Sequence, residues 1–223
     1  MKKTLVLLLL ISSMYSYCQN RVYFKDNTFK DVKRIKVLKG KTYYEDFNGE
    51  VVVLKKKDYE FYLELSLAEH IDSSYFKIKD GKLIWQKVFL KDNKDLIGHF
   101  SKQVISNISK DNLQQVGNRM SFEIKEDKVE YKKYGGTWSN TLAHLNVPIS
   151  YLVVIDFKEN KYRVTISFIK SFFGLNIGYL HLSDVSLKNG SLTKKKIVLR
   201  GLRFLNVHFV KKFLIVNNEK DDW

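Results

Sequence analysis

Apolar side chains recur at every second position over much of this chain and at spacings of three and four in two stretches, a division that separates strands from helices. Residues 21–64 read as short strands: KVLKGKTYYEDFNGEVVVLKKKDYEFYLEL is dense in Val, Tyr and Phe, with turn signals at Lys39-Gly40-Lys41 and Phe47-Asn48-Gly49. Residues 66–80 are more polar and read as a helical turn or a connection before Gly81, so a domain boundary is expected there. Leu83 to Leu90 predicts a strand with Leu83, Trp85, Lys87 and Phe89 facing one way.

Next, Asp92 or Asn93 is placed to cap a helix whose buried face is Leu96, Ile97, Phe100, Val104, Ile105 and Ile108. After Gly117, Met120-Phe122-Ile124 alternates with polar residues, and Glu126-Asp127 is expected to turn the chain into a second run at Val129–Tyr131, making a hairpin. Two longer runs, Ile149 to Phe157 and Tyr162 to Ile169, flank the polar turn KENK and form the strongest β signal in the chain. Residues 171–193 predict only a turn at Lys188-Asn189-Gly190. Val198, Leu202, Leu205 and Phe209 then predict a helix from about Lys195 to Lys211 with a basic outer face, although Gly201 argues against it and Leu205-Val207-Phe209 also alternates as a strand would. Asn217 to Trp223 is a polar tail.

The N-terminus changes where this protein is expected to work. Met1-Lys2-Lys3, the apolar stretch Thr4–Ile11 and the more polar SSMYSYCQ are the three parts of a secretory signal peptide, and the apolar stretch is too short to span a bilayer. Ser16 and Cys18 supply the small side chains that signal peptidase needs, so cleavage is expected to free Gln19. Lipid attachment at Cys18 is the alternative, but Tyr15 and Tyr17 stand where a lipoprotein signal needs a Leu-like and a small residue. An uncleaved or differently cut leader is the remaining branch. The expected organisation is a signal peptide at 1–18, a small β-rich unit at 19–82, and an α+β domain with a polar tail at 83–223. The mature chain is expected to be periplasmic or secreted, with no transmembrane helix. Cleavage behind the sole cysteine also excludes disulfides, thiolate metal sites and cysteine nucleophiles.

A formal charge of +15 invites an anionic partner. Only six of the 39 basic residues are arginine, whereas bidentate phosphate and base recognition favour the arginine fork. A generic lysine-rich surface therefore competes with a specific polyanion site, and export excludes nucleic acid. The charge is concentrated between Lys188 and Lys212, where no acidic residue occurs. Lys194, Lys195, Lys196, Arg200, Arg203, Lys211 and Lys212 are the candidate contacts with an anionic glycan or lipid surface, an envelope protein being the other expected partner.

Catalytic spacing is sparse. His70, His99, His144, His181 and His208 show no metal-ligand spacing, so neither metal nor other cofactor is expected. His181-Leu182-Ser183-Asp184 offers triad residue types without a nucleophile elbow. Glu123, Glu126, Asp127 and Glu130 offer carboxylates for glycoside chemistry, but Lys125, Lys128, Lys132 and Lys133 around them favour a charge-balanced surface. Gly135-Gly136, Gly174 and Gly178 lack the context of phosphate or dinucleotide loops. Tyr43, Tyr44, Tyr59, Phe61 and Tyr62 alternate with lysines as a stacking surface for sugars or single strands would, yet half of them must pack inward on strands.

Beyond the N-terminal unit the order is strand, helix, four strands, helix. With a leader ending in CQ and the hairpin IDFKENKYRVTISFI, the stretch from about Leu83 to Phe213 resembles a secreted domain-of-unknown-function family of Bacteroidetes-type bacteria with a TBP-like fold, the 4468-like family. Asp156-Phe157-Lys158 and Lys161-Tyr162-Arg163-Val164 carry the resemblance, and Asn160 departs from it where glycine is common. The resemblance implies an α+β fold, an antiparallel sheet with helices on one face, and an exported protein. It brings no catalytic residues, and a fold does not transfer the activity of the protein that names it. Arg163 is expected to pair across the hairpin with Asp156 or Glu159. The expected function is a non-enzymatic envelope binding module. The alternatives are a hydrolase whose carboxylates meet only in the fold, and a structural accessory of an envelope complex.

Overall fold

The computed structural model describes residues 19–26, 28–68, 75–91 and 95–215. The leader with Cys18, the helix-cap candidates Asp92 and Asn93, His70 and the tail from 217 lie outside them. The chain divides into two compact units, residues 1–72 with 134–136 and residues 73–133 with 137–223, so the β-hairpin around Gly81 belongs to the second unit.

The first unit holds β1 (Asn20–Phe24), β2 (Phe29–Val32), β3 (Arg34–Leu38), β4 (Lys41–Glu45), β5 (Val51–Leu54) and β6 (Tyr59–Glu64), followed by the short helix α1 (Leu65–Ala68). They form two three-stranded antiparallel sheets, β2-β1-β6 and β3-β4-β5. Val22 and Val32 from one sheet meet Tyr44 and Leu54 from the other in a shared core with Tyr59. The alternation that suggested a stacking surface therefore places Tyr44, Tyr59 and Phe61 inside, and the Tyr59 hydroxyl is satisfied by Thr42 Oγ1 at 3.1 Å. The expected turns at Lys39-Gly40 and Asn48-Gly49 both form, the second organised by the Asp46 carboxylate, which accepts from the Asn48 and Glu50 amides.

The second unit is built on a seven-stranded antiparallel sheet in the order β7-β8-β12-β11-β10-β9, with β13 also paired to β12. The strands are β7 (Phe76–Lys79), β8 (Lys82–Leu90), β9 (Asp111–Val116), β10 (Arg119–Asp127), β11 (Ile149–Lys158), β12 (Lys161–Phe172) and β13 (Tyr179–His181). Helix α2 (Leu96–Gln103) follows β8, α3 (Leu182–Ser186) follows β13, β14 (Leu187–Lys188) and β15 (Ser191–Leu192) form a small hairpin, and α4 (Lys196–Phe213) closes the fold. The resulting order β8-α2-β9-β10-β11-β12-α4 is an α+β fold with both longer helices on one face: Phe100 of α2 packs edge-on against Phe157 and Tyr162, and Phe209 of α4 against Trp85 and Tyr151.

Four expectations are corrected in detail. The four central strands include β9 and exclude Val129–Tyr131, because Glu126 adopts φ 53° in a bulge and the chain leaves the sheet into a 3-10 turn at Tyr131–Tyr134. β10 accordingly forms its hairpin with β9, across Gly117. The helix cap is Asp95, whose carboxylate accepts from the Gly98 amide at 2.9 Å, and α2 ends at Gln103 before a 3-10 turn, leaving Ile108 extended. Finally, α4 is buried on more than its sheet side. Gly201, Phe204 and Val207 are covered, Leu142 and Tyr131 lying against Gly201 and Phe204.

Gly201 is the reason the helix accepts that cover. A Cβ at this position would lie 2.5 Å from Leu142 Cδ1 and 2.6 Å from Leu142 Cγ. Gly201→Ala should thus lower stability by about 1–3 kcal/mol through overpacking, outweighing the gain of about 1 kcal/mol that alanine brings to an open helix. Urea denaturation of the variant measures the sign.

The hairpin β11–β12 follows the predicted alternation: Val153, Ile155 and Phe157 pair with Ile166, Val164 and Tyr162 on the helix-covered face, where Tyr151 is also buried. On β8, Leu83, Trp85, Lys87 and Phe89 face the same way, as their spacing predicts. The Lys87 ammonium is tolerated there because it lies 3.8 Å from the centroid of the Tyr75 ring and donates to the Tyr75 hydroxyl.

Candidate binding site on the open sheet face

Because α2 and α4 cover one face, the residues between the buried ones define the other. It carries Ile84, Gln86 and Val88 from β8, Arg163, Thr165 and Ser167 from β12, Leu152, Val154 and Asp156 from β11, and Arg119, Ser121 and Glu123 from β10. Strand register aligns these into rows. One row reads Val88, Arg163, Asp156, Arg119 and Val116 across β8, β12, β11, β10 and β9.

That row carries the charge. Arg119 Nε donates to Asp156 Oδ1 at 2.7 Å and Arg163 Nη2 donates to Asp156 Oδ2 at 2.9 Å. Arg163 thus makes the cross-strand pair expected from the hairpin sequence. Partial burial works to raise the Asp156 carboxyl, but the hydrogen bonds and charges of the two guanidinium groups overcome it and hold the group below its ordinary range. Two guanidiniums share one carboxylate, so the row keeps a positive excess.

Beside it lies a depression of about 550 Å³ lined by Lys79, Lys82, Ile84, Arg119, Val154, Arg163 and Phe168 among others. A second, of about 340 Å³, lies between Asn112, Gln114, Glu123, Leu152, Phe168 and Lys170. Phe168 borders both. It sits at a break in register, where Ser150 pairs with Lys170 but Leu152 pairs with Ser167, and its φ of 54° is the left-handed region that bulky side chains avoid. The bulge turns the Phe168 ring out to solvent, 49% exposed, with the Lys82 ammonium 4.7 Å from its centroid. Backbone conformations of this kind cost about 1–3 kcal/mol and concentrate at functional sites.

The other sequence candidates separate in space. Glu123 lies on the open face with Lys125 at 3.8 Å, Glu130 pairs with Lys133, and Asp127 turns to the helix side. The carboxylates do not form a catalytic pair. His181 and Asp184 cap α3, the Asp184 carboxylate accepting from the His181 amide at 3.3 Å, while Ser183 Oγ accepts from the Leu83 amide at 3.0 Å. His144 is buried, which holds its imidazole below the ordinary value. Among the described residues no group of three His, Cys, Asp or Glu side chains is placed to hold a metal ion.

The basic segment is likewise divided. Lys194, Lys195 and Lys196 are exposed at the start of α4, and Arg203 and Lys211 are exposed along it. Arg200 is partly buried and donates to the Asn140 carbonyl at 3.2 Å. Lys212 donates to Asp127 Oδ1 at 2.7 Å.

Sequence reasoning missed the densest polar cluster. Asp127 at the end of β10 accepts from Lys212 and from the Tyr151 hydroxyl, and His208 Nε2 lies 2.8 Å from its Oδ2. The Asp127 and His208 side chains are only 9% and 12% exposed. Burial would raise the carboxyl, yet His208 and Lys212 bring it down to about 2. Neither Asp127 nor His208 lines the two depressions above, and both Asp127 oxygens are occupied. The arrangement ties α4 to the sheet.

Two solved structures are similar to this chain. The chain is similar to a TBP-like protein from Parabacteroides distasonis ATCC 8503, with 17% identity and a TM-score of 0.39 over 60% of this chain and 89% of that one. It is also similar to a DUF4468 family protein from Bacteroides ovatus ATCC 8483, with 11% identity and a TM-score of 0.40 over 61% of this chain and 84% of that one. These are the fold description and the family that the hairpin IDFKENKYRVTISFI resembles. No family model and no curated protein matches the chain. No described helix is long and apolar enough to cross a membrane.

Proposed function

We propose that the protein is an exported, non-enzymatic binding module whose open sheet face docks an extended acidic segment of another envelope polypeptide. The observation that supports this reading is Phe168, strained and half exposed between two depressions and beside the Arg119–Asp156–Arg163 row. Lys79, Lys82, Arg119 and Arg163 outnumber Asp80 and Asp156 around the larger depression, which favours carboxylates. Ile84, Val154 and Phe168 supply apolar contact between those charges, which suits a peptide with alternating acidic and apolar side chains better than a uniformly charged polymer.

A labelled peptide of alternating Glu and Val is the probe, and its fluorescence anisotropy with the chain from Gln19 onward is the readout. Arg119→Gln and Phe168→Gly should each weaken binding about tenfold or more, and added salt should weaken it further. Phe168→Gly should cost less than about 1 kcal/mol of stability, because relief of the left-handed backbone offsets much of the lost ring contact. Absence of peptide binding, or binding indifferent to both substitutions, would overturn the reading.

A further inference from the structure

A second exposed feature lies beyond this surface, where β12 returns through a six-residue connection, residues 173–178, into β13. The loop is closed by its own backbone, the Phe173 amide donating to the Gly178 carbonyl at 3.0 Å and the Gly178 amide to the Gly174 carbonyl at 2.8 Å. Phe173 anchors its base, packing edge-on against the buried His144 ring at 5.4 Å. The rest of its apolar residues face solvent: Leu175 is 97% and Ile177 63% exposed. Behind them Phe172 and Tyr179, 5.2 Å apart, form an aromatic pair, and the Lys170 ammonium lies 4.9 Å from the Tyr179 ring centroid.

The order outward from the sheet is therefore lysine, aromatic pair, aliphatic tip. A bilayer surface has the matching order of anionic phosphates, headgroup-level interface and acyl chains. No carboxylate occurs between Glu159 and Asp184, so nothing on the β12–β13 segment itself repels an anionic headgroup. A backbone-closed loop exposing leucine and isoleucine carries an apolar face that water does not explain.

We propose that the β12–β13 loop is a membrane-contact hairpin. It inserts Leu175 and Ile177 among the acyl chains of an anionic leaflet, seats Phe172 and Tyr179 at headgroup level, and places Lys170 against lipid phosphate. The loop itself lies outside the peptide surface, Lys170 alone also lining the smaller depression beside Phe168, and the proposal does not depend on peptide binding.

The chain from Gln19 to Trp223 contains no cysteine, so Leu175→Cys provides a single position for an environment-sensitive fluorophore. Mixed with vesicles of phosphatidylcholine and phosphatidylglycerol, this label should shift to the blue and be quenched by spin labels placed just below the headgroups. Vesicles of phosphatidylcholine alone should give a weaker response. In sedimentation of the unlabelled protein, Leu175→Asp with Ile177→Asp should reduce vesicle binding at least about tenfold, and Lys170→Gln should abolish much of the preference for phosphatidylglycerol. Because Leu175 and Ile177 are exposed, the double variant should melt as the parent does. An unshifted label, or vesicle binding that survives the double substitution, would overturn the proposal. Self-association that the double substitution removes, without vesicle binding, would also overturn it and assign the tip to a second copy of the chain.

Discussion

Asp127→Ala is expected to destabilise the second unit by about 3–5 kcal/mol, more than the loss of an ordinary surface carboxylate. The substitution leaves the Lys212 ammonium, His208 and the Tyr151 hydroxyl facing a space in which their common acceptor is gone. Lys212 is 20% and His208 12% exposed, so water replaces the carboxylate poorly. Urea denaturation gives the size of the loss. A loss below about 1 kcal/mol would mean that the cluster is solvated like a surface pair.

The same carboxylate sets a pH dependence. Its folded pKa of about 2 lies below the ordinary value of 3.8, so its contribution is complete above about pH 4 and is lost as pH falls through about 2. The shift corresponds to about 2 kcal/mol. The parent protein should therefore lose stability between about pH 4 and pH 2 more steeply than Asp127→Ala, and urea midpoints measured across that interval compare the two slopes.

Tyr162→Phe is expected to cost about 2–4 kcal/mol, although it removes one oxygen. The Tyr162 hydroxyl donates to the Phe213 carbonyl at 2.7 Å and accepts from the Ile215 amide at 3.1 Å, satisfying two backbone groups where α4 ends. Tyr162, Phe213 and Ile215 are all buried, and burial raises the Tyr162 phenol far enough to keep it protonated throughout the physiological range. Phenylalanine would preserve the stack on Phe89 and the edge contact with Phe100, so the variant isolates the two hydrogen bonds. Faster amide exchange at Ile215, together with the lower unfolding free energy, would locate the loss at the helix end.

The hairpin that contains Tyr162 was legible because its cause is local. Alternation from Ile149 to Phe157 and from Tyr162 to Ile169 places one set of side chains on each face, and the intervening polar turn leaves room for one pairing. The Arg163–Asp156 pair follows from that register. The α4 periodicity was less decisive, since Gly201 and the alternation of Leu205-Val207-Phe209 left a strand open, and its basic outer face was only partly readable. Whether Arg200 and Lys212 meet solvent depends on Asn140 and Asp127, which lie 60 and 85 residues away.

Phe168 shows a different kind of illegibility. In the string TISFIK it is one more apolar residue of a strand, and nothing beside it announces a bulge. Its exposure depends on the register of β12 against β11, in which an extra residue is accommodated opposite Tyr151. The run at Val129–Tyr131 fails as a strand for a related reason: Val129 and Tyr131 are buried, but the chain there leaves the sheet and enters a 3-10 segment at Tyr131. Alternation reports that side chains are buried without saying which surface buries them.

The sequence by itself thus determined the strands and turns governed by neighbouring residues, the helix periods, the α+β class and the lysine-rich charge. The tertiary structure decided which face of the second sheet stays open, that Arg119 joins Arg163 on Asp156, and that Asp127 meets His208 and Lys212. The physical reason is range. Backbone preference and side-chain alternation act over a few residues, whereas burial and charge pairing are fixed by whichever distant segments the sheet order brings together.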